Sequence, residues 1–127
     1  LCNRLENIPY PIMPLGPMLT DVGLEEDDTV AVIGASLMGV LGSADILSIV
    51  TSREHLSGIP DIEEMKQAIS KYKIAKHIID LHKIGDNGED LKMAKERARL
   101  KSCDIFSKKD CKRCESVCPL RVIDLEI

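Results

Sequence analysis

Aromatic side chains are almost absent from this sequence. There is no Trp, and Tyr10, Tyr72 and Phe106 are the only aromatic residues among 127. A core must therefore be aliphatic, built from Ile, Leu, Val, Met and Ala. A surface that stacks nucleic-acid bases on rings has almost nothing to work with, which argues against nucleic acid as a partner. No apolar run approaches the roughly 20 residues needed to cross a bilayer, so no membrane partner is expected. The first residues also lack a charged segment followed by an apolar one, as a secretory leader would have. There is no G-x-G-x-x-G pattern, no internal repeat and no low-complexity stretch. The chain opens at Leu1 rather than Met and runs at once into a structured-looking stretch, which reads as a fragment or a processed chain.

What is present is ordinary for a globular domain: 44% apolar residues in a chain long enough for one domain. The net charge of −4 hides an asymmetry. Residues 1–91 carry 7 Lys/Arg against 15 Asp/Glu, whereas residues 92–127 carry 10 against 6. The C-terminal part is therefore basic (+4) in an otherwise acidic chain.

That basic part holds three of the five cysteines, Cys111, Cys114 and Cys118, spaced C-x2-C-x3-C. Packing needs no such clustering. Three thiolates supply three corners of a metal or iron–sulfur site and leave one corner open, and the surrounding lysines offset thiolate charge. Besides an oxidised disulfide pair with one cysteine left over, three readings remain open. A three-cysteine cluster has an open iron for a substrate or cofactor. A ferredoxin-like electron carrier would need a fourth cysteine where Lys108 stands, and a structural zinc site would be closed by Cys103. Clustered cysteines without a secretory leader point to a reducing cytoplasm.

Taken in order, residues 12–21 form a strand candidate broken by Pro14 and Pro17, which lack ladder donors. A polar loop follows, and Asp27 or Asp28 can cap a helix from Thr29 to about Leu41. That helix is apolar almost all round, as expected of one buried between neighbours. Its Gly34, Ala35, Ser36 and Gly39 permit close backbone approach. Residues 44–51 are β-branched and apolar, fitting a strand covered on both faces, and strand–helix–strand suggests a right-handed βαβ unit. Residues 52–56, Ser-Arg-Glu-His-Leu, lie at the carboxyl end of that strand, where α/β folds place their chemistry.

Asp61 and Glu64 form a capping-box pattern before a long helix that Gly85 ends. Its apolar stripe is Ile62, Met65, Ile69, Tyr72, Ala75 and Ile79. A turn leads to a basic helix over about residues 89–101, and the two helices suggest an antiparallel hairpin. His55 follows a predicted strand beside Glu54, as a hydrogen-bonded loop residue or as a metal ligand or acid/base group. His77 and His82 are five apart, not the i, i+4 that places two ligands on one face, so they read as helix-surface residues.

An ordered set of motifs resembles the phosphomethylpyrimidine synthase family of thiamine biosynthesis. It comprises Pro14-Leu15-Gly16-Pro17 with Thr20-Asp21, Ile33-Gly34-Ala35 with Gly39, Val50-Thr51, Glu54-His55-Leu56 and Ile59-Pro60. Its most specific member is Tyr72-Lys73-Ile74-Ala75-x-His77-x-x-Asp80-Leu81-x-Lys83. The resemblance covers Pro14 to Lys83 and then a cysteine-bearing tail. It implies an α/β fold class: the C-terminal strands and helices of a (β/α)8 barrel, a helical hairpin and the tail. The expected divisions are residues 1–60 as the last barrel segment, 61–102 as a helical region and 103–127 as the cluster-binding tail.

The resemblance further implies a non-canonical radical S-adenosylmethionine enzyme. In that family three tail cysteines, here Cys111, Cys114 and Cys118, hold a [4Fe–4S] cluster whose open iron binds S-adenosylmethionine. Reductive cleavage yields a 5′-deoxyadenosyl radical that rearranges aminoimidazole ribonucleotide into hydroxymethylpyrimidine phosphate. A zinc or other divalent metal is held by two histidines, one of which corresponds to His55; its partner falls upstream of this chain. A homodimer and an electron-donor protein are implied as well. No catalytic residue is assigned within this chain, which is not expected to turn over by itself. The family spaces its cysteines C-x2-C-x4-C, has a substrate-contacting tyrosine where Met13 stands, and has an Asp-His pair where Asp27-Asp28 stands. Those departures fit a divergent relative, such as a 5-hydroxybenzimidazole synthase, comparably well.

Overall fold

A computed structural model describes residues 7–56, 58–106 and 113–122. It is helical, and it divides into two compact units, Leu1–Gly85 and Asp86–Ile127. Cys111 and the lysine-rich residues 107–110 lie outside the described residues.

The first unit is built on two helices that pack against each other, α1 (Asp27–Val40) and α2 (Ile62–Lys83). The start of α2 follows from its sequence. The Asp61 side chain accepts the Glu64 backbone N–H at 2.8 Å, and the Glu64 carboxylate accepts the Asp61 N–H at 3.0 Å. This reciprocal pair satisfies two donors that a helix start otherwise leaves open. The stripe predicted along α2 is buried in its later part, at Tyr72, Ala75 and Ile79, with Ala68 joining them. Ile62, Met65 and Ile69, earlier in the stripe, are exposed.

Helix α1 begins two residues earlier than predicted. Glu26 is its N-cap, without a side-chain bond, and Asp27 and Asp28 sit inside the first turn. Beyond that first turn its buried residues are all small: Ala31, Gly34, Ala35 and Gly39. Close approach requires them. A Cβ on Gly34 would lie 1.7 Å from the Pro17 carbonyl oxygen, and one on Gly39 would lie 2.2 Å from Ile79 Cδ1. Ile33 and Leu37, on the other side, are half exposed, so α1 is covered on its small-residue face and not all round. The core formed by these contacts is Ala31, Ala35, Val50 and Tyr72, edged by Met18, Val32 and Leu47.

The expected α/β class is wrong for the described residues. They contain no strand, and hence no βαβ unit and no part of a barrel sheet. The two stretches read as strands do meet, but among the described residues their hydrogen bonds to each other are confined to Ile12. Ile12 donates its N–H to the Asp45 carboxylate at 2.9 Å, and its carbonyl accepts from the N–H groups of Asp45 and Ile46 at 2.9 and 3.1 Å. A ladder needs alternating donors and acceptors along both chains. Pro11, Pro14 and Pro17 remove donors on one side, and a side chain takes the place of the backbone acceptor for Ile12. Pairing therefore does not propagate. Within residues 44–50 Ala44 and Val50 pack inward while Ile46 and Ile49 are half exposed, so no sheet covers both faces.

The second unit carries α3 (Gly88–Leu100), in which no residue is buried, ended by Lys101 in the left-handed conformation (φ 49°). Further on, a 3₁₀ turn (Glu115–Val117) is followed by a single helical turn, α4 (Pro119–Val122). Among the described residues, no helix is long and apolar enough to cross a membrane.

Candidate functional site

The first turn of α1 buries two adjacent carboxylates, Asp27 at 6% exposure and Asp28 at 2%. Burying a charge is costly unless it is paired and hydrogen-bonded. Each carboxylate has its own solution, and both gain from the positive end of the helix dipole. Asp28 receives the Lys71 ammonium of α2 at 2.7 Å. Lys71 also donates to the Thr29 hydroxyl at 3.0 Å, and that hydroxyl donates to Glu26 at 2.8 Å. Asp27 turns the other way, toward His55. Its Oδ2 accepts the His55 backbone N–H at 2.8 Å, and its Oδ1 lies 3.4 Å from His55 Nδ1.

The loop that carries His55 is held from both ends. The Asp27 N–H donates to the Ser52 carbonyl at 3.0 Å. The Thr51 hydroxyl donates to Glu54 at 3.2 Å, and Arg53 Nε donates to Glu64 at 2.8 Å. Glu54–Leu56 forms one 3₁₀ turn on this frame. The His55 side chain is 54% exposed while the carboxylate behind it is 9% exposed, so the imidazole stands between a fixed anion and solvent.

Below the carboxylates lies Tyr72, 4% exposed, whose hydroxyl faces the Val50 backbone without the geometry of a hydrogen bond. Burial pushes the Tyr72 hydroxyl pKa up from its ordinary value. The Val50 backbone opposes this, and the nearby charges of Asp28 and Glu54 add to it.

In the second unit, Cys114 and Cys118 flank the Glu115–Val117 turn as its N-cap and C-cap. Val117 donates to the Cys114 carbonyl and Arg121 to the Cys118 carbonyl, each at 3.0 Å. Both thiols are free of disulfides; Cys118 is buried and Cys114 half-buried. Cys103, the alternative fourth ligand, is free and exposed. Of the predicted trio, Cys111 is outside the described residues. Among the described residues, no three His, Cys, Asp or Glu side chains converge to hold a metal. His77 and His82 sit on α2, half-buried and exposed respectively.

The profile of the radical SAM ThiC family matches residues 3–116. The chain belongs to that family. The match takes in His55, Cys111 and Cys114 and ends before Cys118. Among curated relatives, the phosphomethylpyrimidine synthase of Methanosphaerula palustris is 39% identical over 90 residues, which is 71% of this chain and 21% of that protein. The phosphomethylpyrimidine synthase of Caldanaerobacter subterraneus is 41% identical over 92 residues, again 71% of this chain and 21% of that protein. The one from Archaeoglobus fulgidus is 30% identical over 135 aligned positions, 89% of this chain and 31% of its own length. This ThiC-family chain therefore spans between a fifth and a third of the length of these relatives.

Sequence reasoning reached His55 but missed what stands behind it. Asp27 was expected only as a helix cap, although its alignment with the family's Asp-His pair was a signal. Lys71 was not singled out, and nothing in its local sequence marks it.

Proposed function

We propose that this chain is the part of a phosphomethylpyrimidine-synthase-type radical S-adenosylmethionine enzyme that holds an iron–sulfur cluster through Cys111, Cys114 and Cys118 and contributes His55 to a divalent metal site. The observation that carries the reading is family membership over residues 3–116. The donor chemistry fits. Cys114 and Cys118 are free thiols of the kind that ligate [4Fe–4S] clusters. His55 is an exposed imidazole, a ligand suited to zinc, backed by a carboxylate as metal-binding histidines usually are.

When bound, a cluster with three thiolate ligands supplies an electron to S-adenosylmethionine at its open iron. The chain's own residues bind and position. The turn between Cys114 and Cys118 fixes their spacing, and the excess of Lys and Arg over residues 92–127 offsets thiolate charge. Residues 1–60 carry the histidine, 61–102 are a helical region and 103–127 are the cluster-binding tail. In the whole protein the substrate is aminoimidazole ribonucleotide and the product hydroxymethylpyrimidine phosphate. The setting is a cytoplasmic homodimer served by an electron-donor protein. A second reading, a 5-hydroxybenzimidazole-synthase-like relative, fits the C-x3-C gap and Met13 comparably.

Anaerobic reconstitution with iron and sulfide tests the proposal. A chain that takes up about four irons and shows a spectrum perturbed by S-adenosylmethionine supports it. A cluster indifferent to S-adenosylmethionine points to electron transfer instead, and tight zinc binding with no iron uptake overturns both.

A further inference from the structure

We infer that Asp27 is a positioning residue that sets the tautomer and orientation of His55, so that Nε2 is the nitrogen offered outward. This rests on the reading of His55 as a metal ligand given above. The two oxygens of one buried carboxylate address two atoms of the same residue: Oδ2 takes the His55 backbone N–H at 2.8 Å, and Oδ1 faces Nδ1 at 3.4 Å. The contact joins residues 28 apart in sequence. Asp27 is itself fixed, by its place in the first turn of α1 and by its N–H bond to the Ser52 carbonyl. A neutral imidazole has one donor and one acceptor nitrogen, and an ionised carboxylate only accepts. The nitrogen facing Asp27 is therefore the one that carries the proton, and Nε2 keeps its lone pair.

The 3.4 Å separation is longer than the usual N–H···O range. The backbone bond thus fixes the residue, and the ring contact selects the tautomer. Among the described residues His55 makes no other polar contact, which leaves its Nε2 edge unengaged there. A carboxylate in this relation to a ligating histidine fixes the ring's orientation and tautomer. A purely structural Asp27 would need only the backbone bond.

The experiment is long-range ¹⁵N–¹H correlation on the metal-free, ¹⁵N-labelled full chain, at a pH where His55 is neutral. The His77→Gln and His82→Gln changes make assignment direct. The expected result is a His55 ring protonated mainly at Nδ1, shifting toward Nε2 protonation in Asp27→Asn, with helical circular dichroism unchanged. A wild-type ring protonated mainly at Nε2 overturns the inference, and that measurement needs no variant. A zinc titration of the same sample, continued past filling of the thiols, separates the two readings. An Nε2 resonance that moves supports both. If neither ring nitrogen moves while the tautomer is as expected, His55 does not bind zinc without the upstream histidine, and the positioning role stands.

Discussion

The Asp28 carboxylate at the head of α1 and the Lys71 ammonium of α2 lie 2.7 Å apart, and the two ends of this pair are unequally exposed: 2% for Asp28 and 39% for Lys71. The inequality makes truncation of the partners unequal. Lys71→Met strands a buried carboxylate, whereas Asp28→Asn leaves a lysine that can swing into water. Breaking a buried pair costs roughly 3–5 kcal/mol. With Lys71 partly solvated, about 2–3 kcal/mol is expected for Lys71→Met and about 1 kcal/mol for Asp28→Asn. Urea denaturation followed by helical circular dichroism should show that order. The double variant should be more stable than Lys71→Met alone. Equal midpoints for the two single variants would contradict the asymmetry.

The small-residue face of α1 yields a second ordering. An added Cβ at Gly34 meets the backbone carbonyl of Pro17, while one at Gly39 meets only side-chain atoms, Cδ1, Cγ1 and Cγ2 of Ile79. Backbone does not yield as a methyl group does. Overpacking costs about 1–3 kcal/mol, and replacing a helical glycine by alanine returns up to about 1 kcal/mol. Gly34→Ala is therefore expected to destabilise by about 2 kcal/mol and Gly39→Ala by less than about 1 kcal/mol. Thermal melts of the two variants, compared with wild type, decide the order.

The same contrast explains what could be seen in the sequence. The start of α2 was legible because Asp61 and Glu64 are three residues apart and their bonds are local. Close approach at Gly34 and Gly39 was legible for the same kind of reason, since it needs only small residues at those positions. The strands were not. Residues 12–21 and 44–51 have strand-like composition, but a strand is made by its partner, and the contact at Ile12 and Asp45 cannot extend past prolines. His55 could be singled out by its loop and by the family motif, whereas the Asp27 carboxylate behind it depends on how α1 meets the loop. Lys71 looked like any helix-surface lysine, because only the tertiary fold brings Asp28 to it.

The buried Tyr72 hydroxyl adds a pH dependence to the stability of the first unit. Its hydroxyl is buried without a partner and its pKa is raised above 10.0, with burial as the main cause. The sign follows from proton linkage. Above pH 10 the unfolded chain gives up this proton while the folded chain keeps it, so the folded state binds more protons and stability falls as pH rises. Wild-type stability should decline above pH 10, and Tyr72→Phe should lose that share of the decline. At neutral pH Tyr72→Phe is expected to be neutral or to stabilise by up to about 1 kcal/mol, since it removes an unsatisfied buried hydroxyl. A loss of more than about 1 kcal/mol on Tyr72→Phe would mean that the hydroxyl has a bonding partner.

The cysteines give the sharpest test of the proposed cluster, because the structure distinguishes them before any metal is added. Cys118 is buried and Cys114 half-buried beside one 3₁₀ turn, while Cys103 is exposed. If the trio holds iron and sulfide, Cys111→Ser, Cys114→Ser and Cys118→Ser should each cut iron uptake severalfold, and Cys103→Ser should leave it unchanged. A zinc site closed by Cys103 predicts the opposite for that last variant, with metal affinity falling as it does for the others. Cys118 is the discriminating position, since it lies past residue 116, where the family match ends. A Cys118→Ser chain that still takes up about four irons and responds to S-adenosylmethionine would mean that the third thiolate comes from elsewhere. Cys103 would then be the candidate, and Cys103→Ser alone would decide it by losing the iron that Cys118→Ser retains.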